Sequence, residues 1–145
     1  DEIRFKVIKK VFLVAATETV SDRNSLLPYQ FLRLCRGMSS GEIIVLYTTY
    51  QILKSGKMPD VSGANQWLDA IARKSGLIHA SLVKIHEDEL IKKQLISGRL
   101  HGDRSGLVDK TNFRLTTLGL VLCEYIDSYD SSSGEAQHVT SPDLH

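Results

Sequence analysis

The residues able to do acid/base, nucleophilic or metal chemistry are few and poorly spaced for it. His86-Glu87-Asp88 sets an imidazole beside two carboxylates, the raw material of a general acid/base cluster. Consecutive residues on a helix splay apart and do not face one another, so the triplet reads as an exposed polar face. The five histidines, His79, His86, His101, His138 and His145, form no H-E-x-x-H or other ligand spacing. Cys35 and Cys123 lie 88 positions apart in apolar stretches, without C-x-x-C spacing or a neighbouring His. They read as reduced, buried packing residues. Gly98, Gly102 and Gly106 lack the preceding strand, the following helix and the Lys-Ser/Thr that a phosphate-cradling loop needs. No catalytic residue, metal site or cofactor is expected, and the chain does not read as an enzyme.

What remains is cationic. Arg99, His101, Arg104, Lys110 and Arg114 gather within sixteen residues, opposed only by Asp103 and Asp109. Such a stretch either meets phosphates or is a solvated loop. The whole chain does not tip the balance: 145 residues carry 18 Lys+Arg and 17 Asp+Glu, a formal charge of +1. Divided along the chain, residues 1–55 hold +3, residues 56–130 are neutral and the remainder holds −2. At 42% apolar and 24% charged this is the composition of one globular domain. No apolar run approaches the roughly 18–20 residues needed to span a bilayer, so no membrane partner is expected. The start at Asp1, with no signal segment, suggests a piece of a longer cytoplasmic protein.

The elements that would position these groups are helical. Ile8, Val11, Phe12, Ala15 and Ala16 form an amphipathic stripe within residues 3–19, with Lys6, Lys9 and Lys10 on the other side. A second helix runs from Leu26 to Arg36 and ends at Gly37. Ser39-Ser40-Gly41-Glu42 is a capping box opening a third, which carries Ile43, Leu46, Tyr47, Tyr50 and Leu53 up to Gly56. Trp67, Leu68, Ile71 and Ala72 share one face of the next, closed by Gly76. From Ile78 to Ile96 the period slips: Leu82 and Ile85 share a face, but the next step lands on Glu89 instead of Leu90. A kink, or a short strand at 77–85, would explain this. The glycine-punctuated stretch from Gly98 suggests a hairpin or loose loop. Thr116 or Thr117 then caps a last helix through Leu118, Leu120, Val121, Leu122, Tyr125 and Ile126, apolar around much of its circumference. Residues 131–145 are nearly devoid of apolar groups and read as a disordered tail.

The order of helices, Gly-rich basic stretch, short strand and helix resembles a winged helix-turn-helix domain. Ile71-Ala72-x-x-x-Gly76-Leu77, followed by Leu82 and Ile85, is similar to the helix-turn-helix pattern. Leu115-Thr116-Thr117-Leu118-Gly119 resembles the Leu-Thr-x-x-Gly that follows the wing in MarR-like bacterial regulators, and Asp103-Arg104 resembles part of their wing. The resemblance implies a mainly α fold: three helices, a small β-hairpin wing and a C-terminal helix at 39–130, preceded by two helices at 1–38 that pack on the core. It implies DNA contacts through the outward face of the second helix (Ile78, His79, Ala80, Val83, Lys84, Glu87) and through the wing. The candidate nucleic-acid-binding residues are therefore His79, Lys84, Arg99, Arg104, Lys110 and Arg114.

Two functions follow. The first is a double-stranded-DNA-binding module of modest specificity, a fragment of a transcriptional regulator. The second is a protein–protein contact or oligomerisation domain that does not bind DNA, with a homodimer through the first and last helices. Glu87-Asp88-Glu89 supports the second, because carboxylates facing phosphates repel, but the frequency of DNA binding among winged-helix domains narrowly favours the first.

Overall fold

The computed structural model describes residues 2–17, 26–59, 61, 65–77, 79–98 and 111–127, of which 14–17, 26–28 and 111 are described in backbone only. Arg99, His101, Arg104, Lys110 and the tail assigned to 131–145 lie outside the described residues. Helices α1 (Glu2–Thr17), α2 (Leu26–Arg36), α3 (Ser40–Ser55), α4 (Gln66–Ser75) and α5 (Ala80–Lys92) follow in chain order. A last helix, α6, covers residues 117–127. The chain divides into two compact units, Asp1–Met38 with Leu122–His145, and Ser39–Val121.

The first unit packs α1 on α2. Val11, Phe31, Leu32, Cys35, Met38, Leu122, Cys123 and Ile126 are its buried apolar groups. The Phe31 and Tyr125 rings meet edge to face at 5.3 Å between centroids. Arg4 Nη2 donates to the Arg36 carbonyl at 2.5 Å, satisfying one of the acceptors that a helix end leaves open. The stripe expected on α1 is only partly covered. Val11 is buried, but Phe12 is 56% exposed and Phe5 joins it on the open side.

The second unit is organised around α3, buried on most of its circumference at Glu42, Ile43, Val45, Leu46, Thr48, Thr49, Tyr50 and Ile52. Both halves of the capping box form: Ser39 Oγ accepts from Glu42 N–H, and the Glu42 carboxylate accepts from Ser39 N–H. Gly56 closes the helix in the left-handed region at φ 70°. Lys93 Nζ donates to Glu42 Oε1 at 2.8 Å, tying the end of α5 to the start of α3. Burial alone would raise the Glu42 pKa, but the Lys93 ammonium and the Ser39 bonds outweigh it and hold it below the usual value. A carboxylate so lowered contributes its full stabilisation above its unfolded pKa of about 4.3 and loses it as pH falls through the lower folded value. Glu42→Gln keeps the cap and removes the charge. It is expected to cost about 1 kcal/mol at neutral pH, and the gap to wild type in urea midpoints should close as pH falls below about 4.

Helix α4 buries Trp67, Leu68 and Ile71 and ends at Gly76, φ 80°. Helix α5 is continuous from Ala80 to Lys92, so neither the kink nor the strand at 77–85 exists among the described residues. Its core positions are Val83, Glu87 and Leu90. Leu82 and Ile85, expected to seat the helix, are 42% and 60% exposed. The apolar period slips because the middle core position is a glutamate.

The winged-helix expectation fails on the hairpin. Among the described residues no strand forms, and Ile96 and Leu115 meet in a single isolated antiparallel bridge. Ser97 N–H donates to the Arg114 carbonyl at 2.7 Å and Thr116 N–H to the Leu95 carbonyl at 3.2 Å, and there the ladder stops. The cause is local. Asn112, Phe113 and Arg114 take φ values of 49°, 50° and 74°, a left-handed turn from which no strand can extend. The mainly α architecture stands, and the β-hairpin wing does not.

Beyond the bridge, Thr116 is the cap of α6. Its Oγ1 accepts from Gly119 N–H at 3.0 Å and donates to the Gln94 carbonyl at 2.7 Å.

Candidate functional site

Helix α5 presents two chemically different faces. The inward one centres on Glu87, which is fully buried. Its Oε2 accepts from Arg114 Nη1 at 3.1 Å, and both side chains are sealed from solvent. Arg114 Nη2 donates to the Ser97 carbonyl at 2.6 Å, and the guanidinium carbon lies 4.5 Å from the centroid of the Trp67 ring. The guanidinium is thus held by a carboxylate, a carbonyl and an aromatic face, from α5, the bridge and α4 respectively. Phe113 packs against Trp67 on the same turn, at 6.4 Å between rings. Among the described residues, Trp67 Nε1 and Ser97 Oγ are buried without a hydrogen-bond partner. Three successive non-glycine residues in the left-handed region cost about 1–3 kcal/mol each. The inward contacts of Phe113 and Arg114 hold them there.

The outward face is built from Ser81, Leu82, Lys84, Ile85 and Asp88, all exposed. Lys84 Nζ lies 3.2 Å from Asp88 Oδ1 and 3.5 Å from Glu87 Oε1, so its charge is answered within its own helix. What the face offers a partner is two large apolar side chains beside an internally balanced charge pair.

The expected nucleic-acid contacts distribute accordingly. His79 is exposed at the start of α5, where its side chain makes no capping bond. Lys84 is exposed but paired. Arg114 is correctly a basic residue of this region, yet it is buried and ion-paired and cannot reach a phosphate from there. Val83 and Glu87, placed outward by the resemblance, point to the core. Arg99, Arg104 and Lys110 lie outside the described residues. No three described residues are therefore brought together as a basic surface from that set.

The Glu87–Arg114 pair escaped sequence reading because each partner belongs to a run of like residues that normally marks solvent. The available signal was the slipped period itself: a glutamate at the position where an apolar residue was due needs a buried cation.

Elsewhere, a shallow cleft of about 400 Å³ lies along α4 and the turn after it, lined by Asp69, Ala72, Arg73, Gly76, Leu77 and Ala80. Cys35 and Cys123 are free and buried. Burial pushes the Cys35 thiol up to about 12, and burial with the neighbouring Cys35 and the Asp127 and Glu124 carboxylates raises Cys123 further. Both are protonated at neutral pH and poor nucleophiles. Among the described residues no group of three His, Cys, Asp or Glu could hold a metal ion, and no helix is long and apolar enough to cross a membrane. The chain matches no family model, no curated protein and no solved structure.

Proposed function

We propose that the chain is a protein-contact module that self-associates through the outward face of α5. The observation that carries this reading is the exposure of Leu82 and Ile85 beside the Lys84–Asp88 pair. Exposed apolar side chains on one helix face mark contact surfaces more often than phosphate-reading ones. The charges also suit a second copy. Two α5 helices laid antiparallel about a two-fold axis at His86 set Lys84 of each against Asp88 of the other, with Ile85 near the axis. Such an isologous contact satisfies every charge twice. A DNA-reading face would instead need cations free to replace counterions, and Lys84 is already neutralised.

Light scattering on the purified chain tests the reading. A dimer is expected that dissociates in Ile85→Glu and in Asp88→Lys. The double exchange Lys84→Asp with Asp88→Lys restores it, since both cross-pairs are reversed together. A dimer that survives these changes and separates on Phe5→Ser with Phe12→Ser moves the contact to α1, whose Phe5 is 69% exposed. A monomer that binds random duplex DNA with steep salt dependence sinks the reading in favour of nucleic acid.

A further inference from the structure

The surroundings of Arg114 are those of a receptor for a guanidinium group. An external arginine would be bound by a carboxylate for the charge, a carbonyl for a second N–H, and an indole face for stacking. Glu87, the Ser97 carbonyl and Trp67 supply all three, at 3.1, 2.6 and 4.5 Å. The occupant is delivered by a backbone that does not favour its own conformation, since Asn112, Phe113 and Arg114 are all left-handed. Asn tolerates that region, but Phe113 and Arg114 have no intrinsic preference for it, so the turn gains by relaxing once Arg114 leaves. Among the described residues, the buried Trp67 Nε1 and Ser97 Oγ have no hydrogen-bond partner, so the closed arrangement leaves polar groups of the site unsatisfied there.

We propose that Arg114 is a tethered, displaceable occupant of a guanidinium-binding site formed by Trp67, Glu87 and the Ser97 carbonyl, which takes an arginine side chain of a partner protein when the Asn112–Arg114 turn opens. The turn is then an autoinhibitory contact: closed, it fills the site with the chain's own arginine, and open, it presents an anionic, aromatic pocket. The pocket lies on the core side of α5, opposite Leu82 and Ile85, so the α5 contact and this site stand or fall separately.

Chemical rescue tests the site. Arg114→Ala removes the occupant and leaves its receptor. Methylguanidinium at millimolar concentration, well below denaturing levels, should raise the melting temperature of Arg114→Ala saturably and shift the emission of Trp67, the single tryptophan. Wild type in its closed form and the Arg114→Ala, Glu87→Gln double variant should show at least tenfold weaker responses, and the uncharged isostere N-methylurea none. Absence of saturable rescue, or equal rescue in the double variant, overturns the proposal. Hydrogen exchange on wild type tests displacement even if Arg114→Ala does not fold. The Ser97 and Thr116 amides, bonded across the bridge, should exchange by local opening, at least tenfold faster than the amide of buried Tyr50 and with little dependence on denaturant. Exchange of all three at one globally unfolding rate means that the turn does not open on its own, and the site has no access.

Discussion

Glu87→Ala is expected to destabilise the Ser39–Val121 unit by about 3–5 kcal/mol, the usual cost of leaving one member of a buried ion pair behind. The guanidinium of Arg114 would keep the Ser97 carbonyl and the Trp67 face but lose the Glu87 carboxylate. At roughly 4–8 °C per kcal/mol for a unit of this size, thermal unfolding should show a fall of more than about 10 °C. The reciprocal change is expected to be milder. Arg114→Met leaves Glu87 with the Lys84 ammonium 3.5 Å away, and that lysine side chain is half exposed and free to approach. Met also releases the long polar head from the core while filling much of its volume. Replacing both partners together, Glu87→Leu with Arg114→Met, should recover most of the loss, because an apolar pair of similar volume carries no desolvation cost. A double-mutant cycle reads the difference as a coupling energy. An Arg114→Met loss larger than that of Glu87→Ala would show that the cation–π and carbonyl contacts outweigh the charge pair.

That pair also explains how far the fold was legible from sequence. Helix α3 announces itself through local chemistry: a capping box at Ser39 and Glu42 and a left-handed glycine at 56 are decided by neighbours a few residues away. Gly76 closes α4 for the same reason. Helix α5 is different. Its inward register, Val83–Glu87–Leu90, depends on an arginine 27 residues further on, and no window of local pattern contains both. Taking Leu82 and Ile85 as the core therefore turns the helix to the wrong side, and Val83 and Glu87, assigned outward from that register, lie inward instead, while His79 and Lys84 stay exposed. The lack of a strand among the described residues has the same root. Asn112-Phe113-Arg114-Leu115 looks extended by composition, but the chain curls left-handed there to deliver Arg114 to Glu87. Tertiary electrostatics overrode β-propensity. On α1 the misplaced Phe12 has a simpler origin: a stripe of five apolar residues defines a face wider than the one α2 covers.

Gly119→Ala separates local propensity from tertiary packing by the sign of its effect. Gly119 sits in the first turn of α6, where alanine is intrinsically better than glycine by up to about 1 kcal/mol. Propensity alone thus predicts a gain. The backbone of Leu95 predicts the reverse, because a Cβ on Gly119 would overlap the Leu95 carbonyl oxygen and crowd its carbon. That carbonyl cannot swing aside as a side chain would. It accepts from Thr116 N–H at 3.2 Å, next to the Ile96–Leu115 bridge, and Thr116 in turn caps the same helix through Gly119 N–H. Making room for one methyl group therefore strains the cap, the bridge and the entry of α6 together. The expected result is a loss of about 3 kcal/mol, at the upper end for overpacking, read as a lower urea midpoint with an unchanged slope. Gly41 provides the control. The three atoms nearest a Cβ there all belong to the His86 imidazole, a partly exposed side chain able to rotate away. Gly41→Ala should therefore cost about 1 kcal/mol or less, and His86→Ala should abolish even that. A stabilised Gly119→Ala would mean that Leu95 yields freely, and that the glycine of Leu115-Thr116-Thr117-Leu118-Gly119 is not there for close approach.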